Sequence, residues 1–176
     1  MRYNYPDRFH YEEGLTMHLY EALTERVSHW RSEHYPCEQY PVIAEILEWA
    51  ANPDVSAFRL RAPQLRALET YWYLRLILGT PHVFDLYTSL FDPAEDMMSL
   101  LKALGIPIEA FTESNFNLGR LFKSIREEDA FVKEFRLESQ RETLTLEYPS
   151  YILALAMGAG KTVLIGSIFA SEFAMA

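Results

Sequence analysis

At 176 residues and 20.5 kDa, with 49% of its residues hydrophobic, the chain has the material for one ordinary domain with a substantial core, which excludes a disordered or fibrous polymer. A net charge of −9 and a pI near 5.0 exclude a molecule that is one large basic surface, so a nucleic-acid contact needs a local patch. The lone Cys37 excludes an internal disulfide; with no basic-then-apolar leader and no apolar run of spanning length, a reducing, cytoplasmic setting and no membrane partner are expected.

In chain order, the first two-thirds reads as helix. Leu15, Leu19, Leu23, Val27 and Trp30 recur at helical spacing, with Glu12, Glu21, Glu25 and Arg26 between them. Pro41 opens a second helix carrying Ile43, Ile46, Leu47 and Ala50, and Asn52-Pro53-Asp54 breaks it. A third runs from about Gln64 through the Tyr-Trp-Tyr-Leu-Arg stretch to Gly79, which stands where a helix terminates. Pro81 is placed to open the next. In Phe-Asp-Pro-Ala-Glu, Asp92 reads as a cap with Glu95 three residues on, and Gly105 closes that helix. One amphipathic helix then carries Leu118, Leu121, Phe122, Ile125, Val132 and Phe135 on one face; the acidic run Glu127-Glu128-Asp129, amid Lys123, Arg126, Lys133 and Arg136, reads as its solvated side.

Around Arg141 the period changes. Leu144, Leu146 and Tyr148 alternate with polar residues, as in a strand wet on one face, and Pro149 breaks it. The apolar run Tyr151 to Ala156 has no alternation and predicts a strand covered on both faces. It leads into Gly158-Ala159-Gly160-Lys161-Thr162 and then into a stretch with the composition of a buried helix. Strand, glycine loop and helix form the order a phosphate loop requires. Gly158 and Gly160 allow the backbone, with Ala159 between them, to turn its N–H groups toward a phosphate chain; Lys161 would place its ammonium on the β- and γ-phosphates, and Thr162 its hydroxyl on Mg²⁺. The five histidines have no ligand spacing with one another or with Cys37 and suggest no metal site. The aromatic clusters, in Tyr71-Trp72-Tyr73 and near the N-terminus, read as core before they read as a base-stacking platform.

The stretch Leu153 to Thr162 resembles motif I of superfamily 2 helicases and translocases of DEAD/DEAH type, particularly the Res subunit of type III restriction endonucleases, with Met157 where the family usually has threonine and Leu155 where the general phosphate-loop pattern has its first glycine. Upstream, Arg61 and Gln64 resemble the Arg-x-x-Gln segment whose glutamine reads adenine in that family, with Phe58 or Arg61 stacking on the base; the glutamine lies further from motif I than usual. The resemblance implies an ATP-dependent DNA helicase or translocase with ATP and Mg²⁺ as cofactors, Lys161 as the catalytic residue, DNA as partner and a restriction-modification subunit beside it. The expected fold is mainly α with a short β element: an N-terminal helical region over 1–57, a Q-like helix over 58–80, a helical insertion over 81–140, and over 141–176 the opening strand, phosphate loop and helix of a truncated RecA-like α/β lobe. No acidic Walker B residue follows an apolar strand here, and the last helix ends uncapped, so the chain is expected to be an N-terminal piece, inactive in hydrolysis alone. Two other readings stand beside this one: a phosphate-loop ATPase with no nucleic-acid substrate, and a helical interaction module with a fortuitous Gly-Ala-Gly-Lys-Thr.

Overall fold

A computed structural model describes residues 18–52, 54, 60–91, 93–94 and 96–175. Ten α-helices occur among them: α1 Leu19–Ser32, α2 Pro41–Ala51, α3 Ala62–Trp72, α4 Val83–Leu90, α5 Met97–Leu104, α6 Ile108–Glu113, α7 Leu118–Glu127, α8 Asp129–Phe135, α9 Glu138–Leu144 and α10 Lys161–Met175. A π-helical turn, Tyr73–Ile77, prolongs α3.

Two hydrophobic clusters organise these helices. The first draws on α1, α2, α3, the π-helical turn and α10, around Trp30, Tyr35, Ile43, Leu47, Leu68, Trp72 and Leu164. Its α1 and α2 keep the apolar stripe that their spacing predicts, with Val27, Trp30, Ile43, Leu47 and Ala50 buried. The link between them holds His34 and Tyr35 in left-handed backbone, φ 63° and 52°, which non-glycine residues adopt only when the surroundings hold them there. Those surroundings are visible: Tyr35 is buried, packs edge-on against Trp30 with ring centroids 5.1 Å apart, and donates its hydroxyl hydrogen to Glu69 Oε1 at 2.7 Å. Glu69 is itself buried, and the Arg31 guanidinium meets it with two hydrogen bonds, Nε to Oε1 at 2.6 Å and Nη2 to Oε2. Burial and the neighbouring carboxylate both push the Tyr35 hydroxyl's pKa up, so it stays a neutral donor.

The second cluster gathers α4 to α9 around Leu100, Leu101, Ala110, Leu121, Ile125 and Leu137, with Ala22 of α1 joining from the first. The chain leaves the first cluster near Pro81 and returns to it at Leu153, and side chains join the two ends of this excursion: the Tyr151 hydroxyl donates to Pro81 O, and His82 Nε2 meets Leu146 O.

Several expectations need correction. The chain has no strand among the described residues, so the strand–loop–helix opening of a RecA-like α/β lobe is not what it builds. Around 144–148 the alternating pattern belongs to a helix end: α9 continues to a buried Leu144, while Thr143 and Thr145 return their hydroxyl hydrogens to Ser139 O (2.9 Å) and Arg141 O (2.7 Å) one turn back. Residues 151–156 are irregular, and burial alternates along them: Tyr151, Leu153 and Leu155 are half-buried while Ile152 is 90% exposed. A strand needs a neighbouring strand to share its ladder, and these residues lie against helix side chains instead, Tyr151 on the second cluster and Leu153 and Leu155 on the first. The single helix expected from Leu118 to Phe135 is two, because Glu128 leaves helical geometry (φ −111°, ψ 99°), its Oε1 accepting from Ser124 Oγ at 3.0 Å. Asp129 then pairs with Arg141 Nη1 at 2.6 Å. Pro81 precedes α4, which begins at Val83 after His82. Asp92 and Glu95 lie outside the described residues, as do Glu12, Leu15 and Pro53; the cap of α5 is Asp96, whose Oδ1 accepts from Ser99 N–H at 2.9 Å. Gly105 does close α5, in left-handed backbone at φ 68°.

Candidate functional site

The motif-bearing residues at 158–162 lie where the irregular segment turns into α10. Both loop glycines take positive φ, 78° at Gly158 and 81° at Gly160, a region open to glycine and strained for other residues. A turn bond from Ala159 N–H to Ala156 O at 3.1 Å sets up the loop, and Lys161 begins the helix. In the first turn the N–H groups of Val163 and Leu164 fold back on Gly160 O, at 3.0 and 3.2 Å, whereas those of Lys161 and Thr162 take no backbone acceptor among the described residues. Lys161 and Thr162 are both exposed, and no ion pair among the described residues engages Lys161.

Arg61 and Gln64, singled out from a segment far upstream, are brought to this loop. Gln64 Nε2 donates to Gly160 O at 3.1 Å and Arg61 Nη1 donates to Gly158 O at 3.5 Å. Gln64 also caps its own helix: its Oε1 accepts from Arg61 N–H at 2.7 Å. One N–H and the oxygen of the buried amide are thus engaged within the protein in this arrangement. Contact with Gly160 is close enough that a Cβ there would stand 2.1 Å from Gln64 Nε2. Phe58, the other candidate for stacking, lies outside the described residues.

What holds α10 in place is a line of contacts along α3. Beyond the loop, Trp72 Nε1 donates to Ser171 Oγ at 3.1 Å; the Tyr71 hydroxyl donates to Glu172 Oε1, and Arg75 Nε lies 2.8 Å from the same oxygen. Burial first, and then the Glu172 carboxylate, pushes the Tyr71 pKa up to about 12. The starts of the two helices meet at the loop and their far ends meet at Trp72 and Ser171, so α3 and α10 run parallel. Two helix N-termini, each carrying a partial positive charge, therefore converge on Gly158–Lys161, together with the side chains of Arg61 and Lys161.

Beside Arg61 the structure has a hollow of about 370 Å³, lined by Ala50 and Ala51 at the end of α2 and by Leu60, Arg61, Ala62 and Leu65 at the start of α3. Apart from Arg61, these residues are not apparent as site residues in the sequence, since alanines and leucines on amphipathic helices carry no chemical signal. The α3 line was partly visible: Arg61, Gln64, Tyr71, Trp72 and Arg75 fall at helical spacing, but their partners on α10 are not. Among the described residues no group of three or more His, Cys, Asp or Glu side chains could hold a metal ion, and no helix is long and apolar enough to cross a membrane.

No protein-family model matches the chain, and comparison with curated proteins and with solved structures yields no match.

Proposed function

We propose that the Gly158–Thr162 loop binds the phosphates of Mg·ATP. The observation that carries this reading is the convergence of two parallel helix N-termini on a loop with two positive-φ glycines, held by Gln64 and Arg61 through Gly160 O and Gly158 O. Phosphate oxygens need N–H donors and positive charge; the open amides of the first turn of α10 and the Lys161 ammonium supply both. Thr162, next on the same turn, offers a hydroxyl oxygen to Mg²⁺. Ala159 contributes its backbone to the loop, and Gln64 and Arg61 set the loop's shape, with adenine recognition proposed on the same side. The proposed loop is followed by a helix and, among the described residues, preceded by no strand.

The resemblance of Leu153–Thr162 to motif I extends the proposal to an ATP-dependent DNA helicase or translocase of restriction-enzyme type, acting in the cytoplasm with a restriction-modification partner. Its rival is a phosphate-loop ATPase without nucleic-acid substrate. Calorimetric titration of the chain with Mg²⁺ and ATP tests the core of the proposal. Saturable binding is expected, and Lys161→Ala should weaken it about 10- to 100-fold, the worth of one charge-assisted contact. No binding by the wild type, or equal binding by Lys161→Ala, removes the reading. ATP turnover measured with and without DNA separates the motor from its rival: absence of stimulation favours the latter.

A further inference from the structure

We propose that the solvent face of α10 pairs with the same face of a second copy of this chain, in an antiparallel two-fold dimer. Val163, Ile165, Phe169 and Phe173 are each more than half exposed on this helix, and among the described residues nothing covers them. Helical geometry gathers them. At about 100° per residue, Phe169 and Phe173 lie near the middle of one face with Gly166 beside them, Val163 and Ile165 stand on its two flanks, and the buried pair Leu164 and Ser171 lies opposite. A Cβ added at Gly166 would meet nothing within 4 Å, so the middle of this face is open.

Apolar patches of more than a few hundred Å² are uncommon on a monomer and mark places of association. The four large side chains on α10 present roughly 450 Å² of surface. Ile152 and Met157, nearly fully exposed on the segment leading into the helix, raise the apolar total to roughly 800 Å², about what one side of a stable dimer buries.

Charge selects the occupant. Along α10 only Lys161 and Glu172 are charged, and Glu172 is engaged by Tyr71 and Arg75 of its own chain. An acidic or basic partner therefore finds nothing on this face to pair with. Two copies of a chain with net charge −9 repel each other over most of their surfaces, and this uncharged face is where they can approach while each supplies the apolar surface that the other lacks. The same patch on both copies is the condition for a closed two-fold pair.

Orientation follows from size and dipoles. In an antiparallel pair crossing near the middle of the helix, Phe169 meets the partner's Gly166 and Phe173 lies beside the partner's Val163, so each ring faces a smaller residue, as a knob in a hole. Alanine at 166 is still small and keeps this pairing. Parallel pairing would set Phe169 on Phe169 and bring both Lys161 ammoniums and both positive helix N-termini to one end, whereas antiparallel pairing sets each N-terminus beside a C-terminus of opposite partial charge.

Sedimentation equilibrium of the wild-type chain from about 1 to 200 μM should show a reversible monomer–dimer equilibrium with a micromolar Kd. Phe169→Glu and Phe173→Glu, each at an exposed position, should weaken it at least about 30-fold with native circular dichroism, while Met98→Glu, an exposed apolar position on α5, should leave it unchanged. A wild type that stays monomeric throughout overturns the proposal, whether the face is bare or covered by residues of the same chain. A dimer that survives both glutamates, or one that Met98→Glu dissociates equally, places the interface elsewhere and also overturns it, as does growth beyond the dimer. In a Cys37→Ser background, which removes the native thiol, Val163→Cys copies mixed with Ala174→Cys copies should form a mixed disulfide on oxidation. A dimer in which none forms overturns the antiparallel arrangement.

Discussion

The helices α4–α9 and the helix α10 solve the same problem in opposite ways. In the former, each short helix buries an apolar stripe and shows polar residues to water: α7 turns Leu121 and Ile125 inward, both 0% exposed, while Arg120, Lys123, Arg126 and Glu127 face solvent. Side-chain caps close the starts of α5 and α7, at Asp96 and at Asn117, whose Oδ1 accepts from Arg120 N–H at 2.9 Å. Along α10 the composition is apolar on nearly every side, yet only Leu164 and Ser171 are buried, and Val163, Ile165, Phe169 and Phe173 stand 52, 54, 62 and 78% exposed. The polar partners along α3, from Gln64 to Arg75, together with Leu164 packed in the first cluster, fix where α10 lies, and with it the glycine loop. Composition therefore predicts a buried helix correctly only when neighbours exist on every side; here the positioning of the candidate site rests on a few named contacts.

The largest expected effect tests that division directly. Trp72 is completely buried in the first cluster and Leu121 in the second. Trp72→Ala should cost about 3–5 kcal/mol and Leu121→Ala about 2–5 kcal/mol in urea denaturation, from lost contact and residual cavity. The two should part company at the loop. Trp72→Ala also deletes the hydrogen bond to Ser171 and should weaken Mg·tripolyphosphate binding by the folded protein, whereas Leu121→Ala should leave it unchanged. Equal weakening by both would mean that the clusters act on the loop as one body, and the comparison would break.

A smaller effect probes the contact between α3 and the loop. Gly160→Ala must place a side chain at φ 81° and a Cβ 2.1 Å from Gln64 Nε2. Backbone strain of this kind costs about 1–3 kcal/mol, and the amide has to withdraw from Gly160 O as well. Adding Gln64→Ala should recover the steric part and leave the φ penalty, so the double variant should be less destabilised than the sum of the two single ones, a non-additivity that urea denaturation measures directly. Strict additivity would show that Gln64 and Gly160 do not touch.

How much of this was legible in sequence follows the same division. The stripes of α1 and α2, the proline opening α2 and Gly105 closing α5 were readable because each depends on residues within a turn or two. The break at Glu128 was not, since the apolar spacing runs straight through it and only a side-chain bond to Ser124 marks the place. Tyr151 to Ala156 misled for a different reason: an uninterrupted apolar run says that side chains avoid water, and says nothing about whether a neighbouring strand exists to complete a ladder. The phosphate-loop residues and the Arg61–Gln64 pair were visible as patterns. Their mutual contact was not, because a bond between Gln64 and Gly160 spans 96 residues and depends on α3 and α10 running in the same direction. The hollow at Ala50, Ala51 and Leu60 left no sequence signal, since it is defined by missing volume.

The smallest expected effect has the opposite sign and uses another glycine of the same helix. Gly166 lies inside α10, in ordinary helical backbone, and a Cβ added there would meet nothing within 4 Å. No strain or clash offsets the helix-forming advantage of alanine, which loses less backbone freedom on folding, so Gly166→Ala should stabilise the chain by about 0.4–1 kcal/mol. Because the added Cβ would meet only open space, phosphate affinity should not change. Thermal melting of Gly166→Ala beside Gly160→Ala then reads two glycines six residues apart, one retained by geometry and one dispensable. A destabilised Gly166→Ala would require a neighbour packed on that side of α10, and the face that distinguishes α10 from the helices of the second cluster would have to be counted as covered.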